Sequence, residues 1–291
     1  MSSVGGTVSD RHVANVFSVD LEDWYQGLEI ERARWSEFES RIWIGCERLL
    51  TILEGAGVRA TFFALTHMAE RHPDLVREIA RRGHEIGTHG ESHSFVYRQT
   101  PDEFRRELLR SLEVLGQLSG APVVSHRAPF FSITRRSLWA LDVLIESGVR
   151  YDSSIFPVRN YRYGIVGAPA TPWRYHGHAR GALVEFPVST VTMLGQRLPA
   201  GGGAYFRIYP YRLTRWAMRH LNGAGWPAIF YIHPWELDPE QPRPRLPWRI
   251  RATHYHNLRR TEERLRRLVG EFRFGRLCDV IVSLEQRGMI G

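Results

Sequence analysis

The chain has 291 residues, enough for one large α/β domain or two small ones with a well-buried core. Its apolar fraction of 43% and charged fraction of 24% are ordinary for a soluble globular protein, and no run approaches the roughly 18 apolar residues of a membrane helix. The net charge of +8 comes from arginine alone, because the sequence has no lysine, and it is accompanied by no zinc-finger spacing or RNA-recognition motif, so we expect no nucleic-acid partner.

The N-terminal stretch, Met1 to Arg11, is small and polar. It has no basic segment followed by an apolar one, so we expect no secretory signal and a protein located in the cytoplasm or at the inner face of the membrane. The two cysteines, Cys46 and Cys278, lie far apart and indicate neither a disulfide framework nor a cysteine-bound metal. No pattern indicates the oligomeric state.

Short apolar runs alternate with amphipathic stretches, which is typical of parallel β-α-β units. Thr100, Pro101 and Glu103 have the spacing of a helix N-cap with a capping box, so a helix begins there. The predicted strands are Val13–Val19, Ala60–Leu65, His84–Thr88, Val123–Ser125, Leu183–Pro187, Ala228–Ile232 and Val280–Ser283. The predicted helices are Ile42–Gly55, Leu75–Arg82, the one that Thr100 caps, one that starts at Thr134, and Pro210–Asn222.

Three segments break this rhythm and are interpreted as loops. They are Asn160–His178, Leu194–Phe206 with its three consecutive glycines, and the proline-rich Pro239–Pro247. We find no internal repeat and no convincing linker, so we predict a single domain over residues 1–291. Its parallel strands form either a barrel or a doubly wound sheet, and in a barrel the loops after the strands carry the site.

Two stretches are rich in arginine, Arg243–Arg251 and Arg259–Arg267. The second alternates with Glu262 and Glu263, which is typical of a solvated helix face. The alternative is attraction to an anionic polymer or to a membrane surface.

Polar side chains gather where the predicted strands end. The first strand runs into Asp20, Glu22 and Asp23, three carboxylates within four residues. Such carboxylates repel one another unless a cation or a shared proton offsets their charge. A turn with an N-cap for the next helix is the alternative interpretation of this segment.

The strand that ends at Thr88 is followed by His89 and His93. Histidines four residues apart lie on one face of a helical turn and can hold one metal ion. The segment lacks the glutamate placement of the zincin proteases. Joined to the acidic cluster, the two histidines make a His₂-carboxylate set that leaves positions open for water and substrate.

Three further clusters follow strand-like segments. Arg127 could pair with a carboxylate, and Asp152 follows the short segment Gly148–Arg150. His233 comes directly after the apolar run Ile229–Ile232, where it is either a structural histidine or a general acid.

In order along the chain, these clusters resemble the motifs of the polysaccharide deacetylase family, the NodB-homology or carbohydrate esterase 4 group. The motifs are Asp20…Asp23, His89-x-x-x-His93, Arg127-Ala128-Pro129, Asp152-Ser153-Ser154 and His233-Pro234-Trp235-Glu236. The resemblance runs from about Phe17 to Val282. It is strongest to the branch found near exosortase and exopolysaccharide genes, which groups with allantoinase-like and peptidoglycan-deacetylase-like members.

This resemblance implies an α/β fold, a distorted (β/α) barrel with about seven parallel strands, the site at their carboxyl ends and a C-terminal helical extension. It implies metal-dependent hydrolysis of the N-acetyl group of an N-acetylated sugar, in a polysaccharide or its precursor, with release of acetate. The metal is a divalent cation, with Zn²⁺ as the expected ion, held by His89, His93 and a carboxylate that follows Asp20.

The resemblance also implies the remaining roles. Asp20 would be the catalytic base, with Arg127 beside it, and the backbone N–H of Phe130 would lie near the developing oxyanion. Asp152 would pair with His233, the general acid. Six aromatic residues could stack on sugar rings or pack in the core: Trp24, Tyr25, Trp173, Tyr205, Phe206 and Trp235.

The sequence departs from the family pattern after Asp20. The usual motif has two adjacent aspartates, whereas here Leu21, Glu22 and Asp23 follow. Some relatives space the two acids i, i+2, which would select Glu22 as the metal ligand, but we favour Asp23. Many relatives also have proline at the position of Ala128 and tyrosine at that of Phe130.

Two other functions are compatible with the resemblance. Some relatives lack a metal and open cyclic amides, as allantoinase-like hydrolases do, but the presence of both His89 and His93 argues against this alternative. A catalytically silent carbohydrate-binding protein is the other alternative, and the presence of Asp20 and His233 argues against it.

Overall fold

The computed structural model describes residues 13–28, 30–160, 162–178 and 181–290, so the stretch from Met1 to Arg11 lies outside the described residues. The strands are β1 Asn15–Leu21, β2 Thr61–Ala64, β3 Glu85–Thr88, β4 Ser125–His126, β5 Tyr151–Asp152, β6 Trp173–Tyr175, β7 Leu183–Glu185, β8 Thr190–Met193, β9 Gln196–Pro199, β10 Ile229–Ile232 and β11 Phe274–Gly275. The α-helices are α1 Ile42–Gly55, α2 Thr66–Arg71, α3 Pro73–Arg81, α4 Pro101–Ser119, α5 Trp139–Glu146, α6 Ala204–Ile208, α7 Tyr211–Gly223, α8 Trp248–His254, α9 Leu258–Glu271 and α10 Leu277–Gln286.

The central sheet has the strand order β10-β1-β2-β3-β4-β5-β7-β6, and β11 also pairs with β1. Among the described residues, the seven strands from β10 to β7 form one parallel run, and the terminal pair β6–β7 is antiparallel. This confirms the predicted parallel α/β sheet of about seven strands. The short hairpin β8–β9 is separate from it.

The outer edge of β10 is not left bare, because the glycine segment after β9 pairs with it. Gly202 forms a parallel bridge with Tyr231, and the Gly203 N–H donates to the Tyr231 carbonyl at 2.9 Å. Gly202 has φ 122, and a Cβ there would lie 2.0 Å from the Tyr231 oxygen, so only glycine fits. This contact extends the backbone hydrogen bonding beyond β10.

Helices cover the sheet, and the strands are accordingly apolar. Every residue of β1 and β10 is buried, as expected of central parallel strands packed on both faces. Helix α1 begins and ends where the sequence predicts. At α4 the capping box is present: the Thr100 hydroxyl accepts from the Glu103 N–H, and the Glu103 carboxylate accepts from the Thr100 N–H at 2.8 Å.

Some predicted elements are wrong. The apolar run Val280–Ser283 lies in helix α10, not in a strand, since Leu277, Val280, Ile281 and Leu284 are buried with helical spacing. The predicted loops also hold short regular elements, namely β6 within Asn160–His178 and β9 with the start of α6 within Leu194–Phe206.

The parallel run brings the carboxyl ends of its strands to one edge, where the polar clusters after β1, β3, β4 and β10 meet. Cys46 and Cys278 are both free thiols. In the part of the chain that the structure describes, none of the helices is both long and apolar enough to span a bilayer.

Candidate active site

A buried ion pair joins β1 to the segment that follows β4. Arg127 Nη1 donates to Asp20 Oδ1 at 2.7 Å and to the Ser18 hydroxyl at 2.9 Å. Its Nε and Nη2 donate to the carbonyl and the hydroxyl of Ser153. These partners hold the guanidinium in place. The other oxygen of Asp20, Oδ2, lies 3.9 Å from Nε2 of His233.

Two histidines and one carboxylate meet just beyond β1 and β3. Nε2 of His89 and Nε2 of His93 lie 2.9 and 2.8 Å from the same oxygen, Oε1 of Glu22. All three side chains are buried. Residues 89–93 do not form the helical turn that we expected. Instead Gly90 has φ 81 and His93 has φ 55, and this left-handed backbone lets both rings reach Glu22.

Asp23, the carboxylate that we favoured as metal ligand, does not join this set. Its oxygens accept hydrogen bonds from the Ser40 hydroxyl at 2.5 Å and from the N–H groups of Trp24 and Arg41. Glu22 and Asp23 both lie beyond the end of β1, where the chain turns and the Glu22 N–H donates to the Asp20 carbonyl at 2.9 Å. Asp20 and Glu22 line the cleft over the site, so the carboxylate beside the two histidines is Glu22, the i, i+2 alternative, and not Asp23.

The charges of this set suit a divalent cation. His89 Nδ1 lies 2.8 Å from the Arg127 carbonyl, which can only accept, so Nδ1 carries a proton. In a neutral ring Nε2 is then an acceptor, yet it faces another acceptor, Glu22 Oε1. A cation shared by the two atoms, or an extra proton, removes the conflict. Two histidines and a carboxylate are also a ligand set of catalytic zinc, and a carbonyl that orients a histidine is a typical outer partner.

Glu22 is buried, yet the groups around it favour its charged form. Burial opposes ionisation of Glu22, but the positive charge of His93 and the hydrogen bonds from both His89 and His93 outweigh it. Together they hold the pKa of Glu22 well below its usual range. The Glu22 carboxylate is thus ionised and available as a ligand.

His233 follows β10 and is oriented by Glu236, three residues later. Glu236 Oε1 lies 3.0 Å from the backbone nitrogen and 2.8 Å from Nδ1 of His233, and its Oε2 accepts from the buried Arg207 at 2.5 Å. Burial opposes protonation of His233, but Glu236, Glu22 and Asp20 outweigh it and raise the His233 pKa to about 9. His233 is therefore protonated at neutral pH, with Nε2 on the side of Asp20.

Asp152 does not contact His233, contrary to our expectation. It belongs to a separate buried cluster, in which His126 Nδ1 lies 2.7 Å from Asp152 Oδ1 and the Ser154 hydroxyl donates to the same oxygen at 2.6 Å. His126, Asp152 and Glu185 stand at matching positions on β4, β5 and β7. Burial and the Asp152 charge raise the pKa of Glu185 well above its usual range, so Glu185 stays protonated and can donate to Asp152.

This cluster supports the backbone that carries Arg127. The Ser154 hydroxyl accepts from the Ala128 N–H at 2.8 Å, and Glu185 Oε1 accepts from the Ile155 N–H at 2.9 Å. The cluster around Asp152 therefore fixes the segment beside the site without contacting Asp20 or His233.

A cleft of about 570 Å³ opens over the site, and Asp20, Glu22, His89 and His233 line it. Phe130 also lines it, with its backbone in the left-handed region at φ 55. The oxyanion role of its N–H stays a prediction. Of the six aromatic residues considered for stacking, Trp235 lines this cleft, whereas Trp24, Tyr25 and Phe206 are buried in the core.

Sequence reasoning assigned no role to Glu236, which it quoted only within the His233 motif, and it missed Arg207, His126 and Glu185. Glu236 had a usable signal, because a carboxylate three residues after a polar residue at a strand end has the spacing of a capping box, and the structure forms that box. The other three depend on strand register and on long-range packing, which no local pattern reveals.

Two family models match the chain. The first, described as polysaccharide deacetylase, matches residues 44–149, and the second, a domain of unknown function (DUF3473), matches residues 153–282. A peptidoglycan-N-acetylglucosamine deacetylase from Bacillus cereus is 31% identical over 150 residues, which are 47% of this chain and 54% of that protein. The chain spans about half or less of the length of such curated relatives.

Solved structures share the fold. A presumed polysaccharide deacetylase from Mycobacterium smegmatis superposes with a TM-score of 0.68 at 22% identity, covering 98% of this chain and 94% of that one. The PuuE allantoinase superposes with a TM-score of 0.61 at 16% identity, covering 97% of this chain and 93% of that one. At these identities the likeness shows the fold alone, and it does not distinguish between the two proteins' chemistries.

Proposed function

Since the chain carries a polysaccharide deacetylase domain in residues 44–149, we propose that it removes the acetyl group from an N-acetylated sugar of a polysaccharide or its precursor. The observation that carries this proposal is the convergence of three buried ligands with a proton acceptor and a proton donor. The ligands are Glu22, His89 and His93, and the other groups are the pairs Asp20–Arg127 and His233–Glu236. Metal-assisted amide hydrolysis requires this combination within one cleft.

The proposed cation would be held by Glu22, His89 and His93, with Zn²⁺ as the expected ion. When bound, it would supply a Lewis acid that polarises the acetamide carbonyl and favours deprotonation of water. The carbonyl of Arg127 would keep the His89 ring oriented for this role.

The protein's own groups would move the protons. Asp20 accepts a proton from the water that attacks the acetamide carbon, and Arg127 fixes the carboxylate in position. His233 donates its Nε2 proton to the amide nitrogen as the carbon–nitrogen bond breaks, which releases acetate and an amino sugar. Glu236 holds the ring and stabilises its charged form.

The reacting groups come from both matched segments, which supports a single catalytic domain. Arg127 lies within residues 44–149, His233 and Glu236 lie within residues 153–282, and Asp20 precedes both segments. We propose that neither segment is catalytic alone.

Acetate release with and without a metal tests the proposal. The full chain is incubated with N-acetylglucosamine oligomers, treated with a chelator, and then supplied with Zn²⁺. We expect acetate release to disappear with the chelator and to return with the metal. Chelator-resistant opening of a cyclic ureide, with no acetate from any oligomer, would support the allantoinase-like alternative instead.

A further inference from the structure

Two clefts meet at the proposed site. We call the cleft of about 570 Å³ the His89 cleft, because His89 and Glu22 line it, and a second cleft of about 760 Å³ the His93 cleft, because His93 lines it. Phe130 lines both, so it lies where they adjoin. A polymer that presents one acetamide to the three ligands would extend into both clefts.

Each cleft has an arginine held beside an aromatic ring. In the His93 cleft, the Arg98 guanidinium lies 4.7 Å from the centroid of the Phe95 ring. In the His89 cleft, Arg249 lies 5.5 Å from the ring of its neighbour Trp248, which is 73% exposed. A ring can stack on the apolar face of a sugar, and a guanidinium beside it can pair with a carboxylate on that sugar.

Within the described residues, Arg98 and Arg249 form no ion pair with a carboxylate. The His93 cleft is lined by four arginines and by Glu91, Glu103 and Glu107. Two of these arginines, Arg32 and Arg110, pair with Glu91, whereas Arg98 keeps its charge unpaired beside Phe95. The segment between Glu240 and Glu262, which contributes Arg249 to the His89 cleft, has six arginines and no acidic residue, and one of them, Arg259, pairs with Glu240 at 3.6 Å. Each cleft therefore presents one arginine, Arg98 or Arg249, that forms no ion pair within the described residues and can pair with an anionic group of a ligand.

We propose that the substrate is an acidic glycan, in which sugars that carry carboxylates flank the N-acetylated sugar. Phe95 with Arg98 binds the flanking sugar on one side of the site, and Trp248 with Arg249 binds it on the other. This inference rests on the proposed function and specifies its substrate class. A membrane surface would also attract arginine, but a bilayer meets one protruding face, whereas these arginines line two clefts that lead to the site.

The test compares two tetrasaccharides that differ only in charge. One alternates N-acetylglucosamine with glucuronate, and the other is its carboxyl-reduced form. Dissociation constants are measured by tryptophan fluorescence on chelator-treated full-length protein, which prevents turnover, and acetate release is measured separately on metal-loaded protein. We expect the charged tetrasaccharide to bind about fivefold more tightly, the size of one or two exposed ion pairs, and the ratio to fall as salt is added.

The double variant R98Q/R249Q should bring the ratio of the two dissociation constants close to one. Arg212→Gln is the matched control, because Arg212 is also exposed but lines neither cleft, and its ratio should match the wild type. Equal binding of both tetrasaccharides by the wild type overturns the inference. Binding to phosphatidylglycerol vesicles without any preference between the saccharides overturns it as well. If neither saccharide releases acetate, the proposed function fails, but the ratio of dissociation constants still decides the substrate class.

Discussion

At the residue scale, His233, the proposed proton donor, depends on the carboxylate that follows it by three positions. Glu236 binds both the backbone and the ring of His233, and it is itself paired with the buried Arg207. Burial opposes protonation of His233, yet the surrounding carboxylates, Glu236 first, raise its pKa to about 9 from the usual 6.5. An activity that needs protonated His233 is therefore present below that raised pKa and is lost as the pH rises through it.

Glu236→Gln should move the alkaline limb of the pH–rate profile to lower pH. Glutamine keeps the shape of the side chain but removes the charge that stabilises the imidazolium, so the pKa of His233 should fall towards its usual value. The measurement is kcat/KM for acetate release as a function of pH. Arg207 loses its buried partner in this variant, at a cost of about 3 to 5 kcal/mol, so unfolding by urea is measured in parallel.

Asp152→Asn is the matched control for this prediction. Asp152 is also a buried carboxylate paired with a histidine, but its partner is His126. The alkaline limb should stay where it is in the wild type, even where stability falls. A limb that moves as far in Asp152→Asn as in Glu236→Gln would show that His233 depends on Asp152 after all.

At the element scale, α10 shows how a short apolar run can be assigned to the wrong kind of element. Three β-branched or apolar residues in a row, Val280 to Val282, are compatible with a buried strand and with a helix. The structure distinguishes them by the pattern of burial. Ile281 is 0% exposed, whereas its neighbour Val282 is 37% exposed, and the buried residues recur with helical spacing along Leu277–Gln286.

Alanine substitutions at two adjacent positions test this assignment. Ile281→Ala should lower the free energy of unfolding by about 2 to 4 kcal/mol, because it leaves a cavity under the sheet. Val282→Ala should change it by less than about 0.5 kcal/mol, because the side chain is partly exposed and alanine favours a helix. Urea denaturation measures both values. Comparable large losses for the two variants would contradict the helix.

Other elements could be predicted from sequence because their signals are local. Helix α1 matches its predicted bounds, and the capping box at Thr100 forms as its spacing indicates. The sequence also located the strand ends that carry Asp20, His89 and His233. It did not separate Glu22 from Asp23, because that choice depends on where β1 ends and on which face each side chain takes.

The pairing of Asp152 with His126 and Glu185 could not be predicted for a related reason. It requires the register of three neighbouring strands, and β4 and β5 have only two residues each. Neither strand carries an alternating pattern long enough to show which face its residues take.

At the scale of the whole molecule, the site exists only when the sheet is assembled. Asp20 and Arg127 are 107 residues apart in sequence, and Glu22 and His93 are 71 apart, yet each pair is in contact. The parallel order of β10, β1, β2, β3 and β4 brings these residues to the same edge. Affinity for the proposed metal would therefore be a direct readout of the assembled fold, because the proposed ligands are not adjacent in the unfolded chain.

The central claim is that Glu22, not Asp23, holds the metal together with His89 and His93. The most direct test is metal binding by the single variants Glu22→Ala and Asp23→Ala, and the double variant H89A/H93A serves as the reference for a destroyed site. Zinc affinity and acetate release from N-acetylglucosamine oligomers are measured on each full-length protein. The account predicts that Asp23→Ala keeps its metal, whereas Glu22→Ala loses affinity by at least about 100-fold and releases no acetate, as the double variant does. An Asp23→Ala protein that loses its metal, beside a Glu22→Ala protein that keeps both metal and acetate release, would contradict it.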